Sequence, residues 1–169
     1  MTTTPASDLI IVVPYFGDLA RFAPFLNEWL AAWSHTVYPH GSRVVFVSDQ
    51  VVGVPPNGCG WVKFDVSCFA DVIRPHETFD VKGALVCAAL LEFEGSPMLV
   101  LDLDAYFAKD PAAALAPFKD CPIAMPIDQG ALVHDRRPFC EPPFEHLRKL
   151  CAGVMFFGAE GDRPAIVEE

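Results

Sequence analysis

The sequence predicts an α/β domain, three layers thick, with helices on both sides of a mostly parallel central sheet. Two observations carry that expectation. Residues 9–13 (LIIVV), 43–48 (RVVFVS) and 97–101 (PMLVL) are short apolar runs rich in β-formers and bounded by turn residues. They are continuous rather than alternating, the pattern of strands buried on both faces. Between them lie segments with helical spacing of apolar residues, and strands alternating with helices imply parallel pairing.

The third run ends abruptly in two aspartates one residue apart, Asp102 and Asp104. In open α/β sheets the C-terminal edge of the strands is where ligands bind, so the position of this pair matters as much as its chemistry. Alternation along an extended chain points both carboxylates to one side, where they repel unless a cation or a donor lies between them. A divalent metal is the simplest resolution; a bare triplet of this kind is more often a solvated loop or cap, and its place directly after a buried strand brings the two readings level.

Totals bound the function. With 169 residues, 52% of them hydrophobic and 20% charged, the chain suits one globular domain spanning 1–169. Its net charge is -10, from 22 acidic and 12 basic residues. That leaves no basic stripe for nucleic acid and no polybasic membrane patch. The N-terminal stretch MTTTPASD has neither the basic nor the apolar region of a signal peptide, and no apolar run approaches the roughly 20 residues of a transmembrane segment. Six cysteines are scattered without a CxxC pair; reduced thiols and a cytoplasmic location are the expectation.

The first strand stops at Pro14-Tyr15-Phe16-Gly17-Asp18. A strand, a glycine-containing loop and a helix open many nucleotide-binding domains, although GxGxxG and the P-loop lysine are absent. Tyr15 and Phe16 either offer an aromatic face to a base or plug the top of the sheet. From Leu19 to Trp33 apolar residues recur at Phe22, Phe25, Leu26, Trp29, Leu30 and Trp33, one stripe along a helix. Pro24 places the regular start of that helix near residues 21–23, because proline fits the first turn.

The strand at 43–48 also ends in an acid, Asp49, either a ligand for a base or ribose or a plain turn residue. Residues 51–60 read as a loop, and 61–66 (WVKFDV) as a short edge strand. Residues 78–94 form a helix capped by Thr78 or Asp80 and closed by Gly95. It is apolar on most sides, with Val81, Ala84, Leu85, Ala88 and Leu91 on one face and Val86, Cys87, Leu90 and Phe93 on the other. Lys82 is the odd residue, a cation near a helix N-terminus where the macrodipole disfavours it; an anionic ligand there would reverse the sign. Residues 112–118 read as a short helix, 122–127 (PIAMPI) as a strand closed by Asp128-Gln129-Gly130, and 131–149, the one basic concentration in the chain, as either an acceptor or lid loop or a solvated connection. Residues 150–158 (LCAGVMFFG) are a last strand, whose Ala152-Gly153 would let a backbone pass close to a ligand.

The order of Lys82 on a helix, Leu101-Asp102-Leu103-Asp104, Asp110-Pro111, a strand ending at Asp128 and then Cys-Ala-Gly-Val-Met-Phe-Phe resembles GT-A glycosyltransferases of the glycogenin and galactosyltransferase type, family 8. The resemblance covers most of residues 9–158. It implies a GT-A-like nucleotide-sugar fold and a metal-dependent transfer from a nucleotide-diphosphate donor, a UDP-sugar, to a glycan, protein or small-molecule acceptor. It implies Asp102 and Asp104 as ligands of Mn²⁺ or Mg²⁺, with Asp102 also near the ribose, and Lys82 beside the diphosphate. Pro14, Tyr15, Phe16, Gly17 and Asp49 would hold the nucleoside, and Asp128, Gln129, Ala152 and Gly153 would face sugar or acceptor. Cys151 departs from the family's asparagine, and neither His134 nor His146 matches its third metal ligand, so the resemblance also implies a chain lacking the C-terminal part of the fold, or a binding domain without turnover. The string DLDAYF is similar to the metal motif of Y-family polymerases too, but the mid-chain position and acidic charge oppose it; dehalogenase-type phosphatases need a different following motif.

Overall fold

The computed structural model describes residues 9–36, 42–50, 59–67, 78–105, 115–118, 121–125 and 153–159. In chain order these form β1 (Ile10–Pro14), α1 (Leu19–Thr36), β2 (Arg43–Ser48), β3 (Cys59–Lys63), α2 (Thr78–Glu92), β4 (Met98–Leu101), a 3-10 turn (Ala116–Phe118), β5 (Ile123–Ala124) and β6 (Val154–Phe157). The strands make one six-stranded sheet in the order β3-β2-β1-β4-β6-β5. β3, β2, β1 and β4 are mutually parallel, and β6 runs antiparallel to both β4 and β5.

The apolar runs become the centre of the sheet. Alternate residues of each strand feed two separate cores, which is why these segments are apolar throughout. Ile11, Val13, Val44, Phe46, Leu99, Leu101 and Phe156 pack with Trp29 and Trp33 of α1. Ile10, Val12, Val45, Val47, Met98, Val100 and Phe157 pack with Leu85, Val86, Ala89 and Leu90 of α2. The helices therefore cover opposite faces, giving the expected three layers. On the α1 side the rings form a continuous group, with Trp29 and Trp33 stacked at 5.6 Å and Phe46 against Trp61 at 4.7 Å.

Several boundaries differ from expectation. α1 begins at Leu19, so Pro24 is its sixth residue rather than part of its first turn. Asp18 explains the earlier start: its Oδ1 accepts from Arg21 N at 3.0 Å and its carbonyl from Phe22 N at 3.2 Å, an N-cap that secures a turn ahead of the proline. Ala20, whose carbonyl loses its helical donor to Pro24, is exposed, as is Pro24 itself, so water can satisfy that oxygen. β3 starts at Cys59, inside the expected loop, and ends at Lys63. α2 ends at Glu92, two residues short of the expected 78–94, and the turn after it closes at Gly95, whose φ of 78° is left-handed. Leu91, expected in the core, is 49% exposed. β6 is shorter than the expected 150–158.

Candidate functional site

In a doubly wound sheet the ligand crevice forms where successive strands depart in opposite directions. Here β1 leads outward to β2 and β3 on one side, whereas β4 joins its other side, so the switch point lies between β1 and β4. A cleft of about 420 Å³ opens there. One wall is the loop after β1, Pro14 to Asp18, with Arg21 and Phe22 from the first turns of α1; the other is Lys82 of α2 with Asp102 and Leu103 beyond β4.

The loop is held by its own chemistry. Gly17 has φ 77°, a conformation costly for any residue with a Cβ. Its carbonyl accepts from Gln50 Nε2 at 2.9 Å, which ties the loops after β1 and β2 together. Tyr15 is anchored on the core side: its hydroxyl donates to Leu19 O at 2.5 Å, its ring lies 5.6 Å from Trp61, and only 4% of it is exposed. It closes the top of the α1-side core while its edge lines the cleft. Burial, and secondarily the charge of Asp18, raise the Tyr15 pKa. Phe16 is half-buried and packs toward the α2-side core.

Lys82 Nζ lies 2.5 Å from Asp102 Oδ1, with side-chain exposures of 11% and 37%. The pair explains how a lysine is accommodated near the start of α2: the carboxylate at the end of β4 offsets a charge that the helix dipole opposes. Asp102 is fixed through its backbone as well. Its N–H donates to Gly153 O at 2.8 Å and its carbonyl accepts from Ala105 N at 2.9 Å. The second bond closes a turn over Asp102 to Ala105, so the strand ends at Leu101 and the alternation expected to carry both aspartates to one side does not extend to them.

Asp104 occupies that turn and is exposed, outside the lining of the cleft. Asp49 also lies outside the lining; it is half-buried, and its Oδ1 is enclosed without a hydrogen-bond partner among the described residues. Gly153 touches the site through the Asp102 backbone. Asp128, Gln129 and Ala152 lie outside the described residues. Thus Pro14, Tyr15, Phe16, Gly17, Lys82 and Asp102 meet in one cleft, joined by Asp18, Arg21, Phe22 and Leu103, which the sequence reading did not select. Asp18 was legible as a cap before a helical stripe, and Arg21 by the dipole argument applied to Lys82.

Among the described residues no three of His, Cys, Asp and Glu come together. Two carboxylates on a partly exposed turn do not make a closed cage. Asp102 and Asp104 carry the hard oxygen donors a divalent cation takes, but Asp102 is paired with Lys82 and Asp104 lies outside the cleft lining.

A mostly parallel sheet of this order, with its crevice beyond β1 and β4, is a GT-A-like nucleotide-sugar fold. Solved structures agree: the chain is similar to an active-site mutant of LgtC (TM-score 0.60, 13% identity) and to the galactosyltransferase LgtC in complex with donor and acceptor sugar analogues (TM-score 0.54, 15% identity), covering 92% of this chain and 59% of each of those. It is also similar to the apo bifunctional glycosyltransferase WbbM, with TM-score 0.54 and 14% identity over 95% of this chain and 33% of that one. At these identities the likeness is one of fold, and the chain spans less than two thirds of each neighbour. No protein-family model and no curated protein matches the sequence.

Proposed function

We propose that the chain is a metal-dependent glycosyltransferase domain that takes a nucleotide-diphosphate sugar, a UDP-sugar, as donor and a glycan, protein or small molecule as acceptor. The observation that carries this reading is the Lys82–Asp102 pair, held in a cleft at the β1/β4 switch point. A nearly buried lysine beside a fixed carboxylate, at the edge where an α/β sheet binds its ligands, is a charge arrangement suited to a polyphosphate.

The roles follow from the geometry. Asp102 and Asp104 would hold Mn²⁺ or Mg²⁺, which when bound supplies Lewis-acid stabilisation to the departing diphosphate. Lys82 is an ammonium with three N–H donors, one of which meets Asp102, and it is the charge type suited to a phosphate oxygen. Its near-burial strengthens that interaction, because the negative charge that develops as the anomeric C–O bond breaks is met by a preorganised cation. Asp49, just past the end of β2, and Phe16, which lines the cleft, are assigned to the nucleoside. Gly153 positions Asp102, and Ala152, Asp128 and Gln129 are assigned to the sugar and acceptor side.

No helix among the described residues is long and apolar enough to cross a membrane. Among the described residues Cys59, Cys87 and Cys121 are free thiols, and a cytoplasmic setting is part of this reading. The test is calorimetry with UDP, with and without Mn²⁺, beside a donor-hydrolysis assay. Binding that requires the metal, with turnover, is expected. Metal-dependent binding without turnover would instead make this a nucleotide-sugar-binding domain, and absence of metal-dependent binding would overturn both.

A further inference from the structure

The cleft has two sides, and the reading above uses the cation of one. Lys82 stands on the α2 side, paired with Asp102. Across the mouth, Arg21 lines the same cleft from the first turn of α1. Its backbone N–H is spent on the Asp18 cap, but its guanidinium forms no ion pair among the described residues. The guanidinium carbon lies 5.8 Å from the Phe22 ring centroid, a stacking contact that restrains the side chain at the cleft wall.

Helix physics gives no reason for this placement. The first turn of a helix is where the macrodipole favours acids and disfavours cations, and α1 has no acid in its first turn beyond the Asp18 cap. α2 shows the same inversion at Lys82. Two helices on opposite faces of the sheet therefore each bring a dipole-opposed cation to one cleft. Formally, Arg21 and Lys82 balance Asp18 and Asp102 there, in a chain whose net charge is -10. Lys82 is already paired with Asp102, and Arg21 adds a second cation to the cleft lining from the other helix.

We propose that Arg21 is a phosphate-binding residue of the cleft, gripping the nucleoside diphosphate from the α1 side opposite Lys82. The proposal rests on the donor class given above. A planar guanidinium matches two phosphate oxygens at once, which an ammonium does not, so arginine is the residue type expected for a group reaching in from the rim.

The experiment is competition calorimetry of the full chain with UDP and with uridine in Mn²⁺, for wild type, Arg21→Gln and Arg21→Lys. R21Q is expected to weaken UDP at least about tenfold, the loss typical of a charge-assisted hydrogen bond, while uridine affinity stays within about twofold and R21K recovers part of the loss. Because Arg21 is exposed, the melting temperature should not move. UDP affinity unchanged in R21Q, or equal losses for UDP and uridine, would overturn the proposal. A wild-type chain that binds no UDP would instead remove the donor reading itself, an outcome separate from the first two.

Discussion

Lys82 and Asp102 are 20 residues apart in sequence, on a helix and at a strand end, yet their charged atoms meet at 2.5 Å. Because β4 follows α2 directly and both pack on the same core, the pair is fixed by two rigid elements rather than by a loop. Lys82→Met removes the cation and keeps the apolar stem. It should lower turnover of a UDP-sugar by about 10²–10³-fold, the range for deleting one preorganised charge stabiliser. The stability cost should stay near 1 kcal/mol, since the remaining carboxylate is 37% exposed and can be hydrated. Steady-state kinetics and urea unfolding read the two effects; undiminished turnover would remove Lys82 from the mechanism.

Asp104 offers the opposite combination, an exposed carboxylate with no described structural partner. Asp104→Asn should leave unfolding within about 0.5 kcal/mol of wild type. It should weaken Mn²⁺-dependent UDP binding at least about tenfold, as loss of a metal contact does. Equal UDP affinity in the variant would exclude it as a ligand.

Gly17 and Gly95 form a matched pair, with φ of 77° and 78° and no atom closer than 4.0 Å to a Cβ built on either. Replacing each by Ala should therefore cost about the same, roughly 1–2 kcal/mol of backbone strain. Only Gly17→Ala should weaken UDP, because Gly17 lines the cleft and Gly95 closes α2. A similar affinity loss in both would show that strain alone, and not the cleft, is being measured.

Burial raises the pKa of Tyr15, with Asp18 adding to it, and burial also raises those of Cys59 and Cys87. In each case the folded state favours the neutral form. Their stability is therefore fully present below the unfolded values, about 8.5 for cysteine and about 10 for tyrosine, and is lost as pH rises through the folded ones. Tyr15→Phe should lose about 1 kcal/mol at pH 7, from the missing hydrogen bond to Leu19, and lose stability less steeply than wild type above pH 10. Melting temperatures from pH 7 to 11 test this, and parallel curves would refute it.

What could be read beforehand follows from how much of each signal is local. β1, β2 and β4 declared themselves because a strand covered on both faces has no polar alternation to blur it. The Asp102 end of β4 was legible for the same reason, since the apolar run stops at the carboxylate. Pro24 misled, because the rule placing proline in the first turn ignores what a strong cap such as Asp18 can build ahead of it. Gly60 disguised the start of β3 as loop, because a glycine after Pro55-Pro56-Asn57-Gly58 carries no β signal of its own. The Asp102 N–H bond to Gly153, 51 residues away, was hidden because no periodicity reports a partner at that distance. Arg21 escaped since it stands off the apolar stripe, where only its charge, judged against the helix dipole, marks it.

The reversed direction of β6 has a bearing on assembly of the chain. β6 covers the flank of β4, pairing Leu101 with Val154 and Met98 with Phe157. A nascent chain therefore completes the ion-pair-bearing strand some fifty residues before the segment that shields its backbone. Until then, four consecutive apolar residues present open N–H and C=O groups, a template on which two copies can zip together. Translation pausing, premature termination or low-temperature refolding before β6 docks would thus yield aggregates seeded at β4.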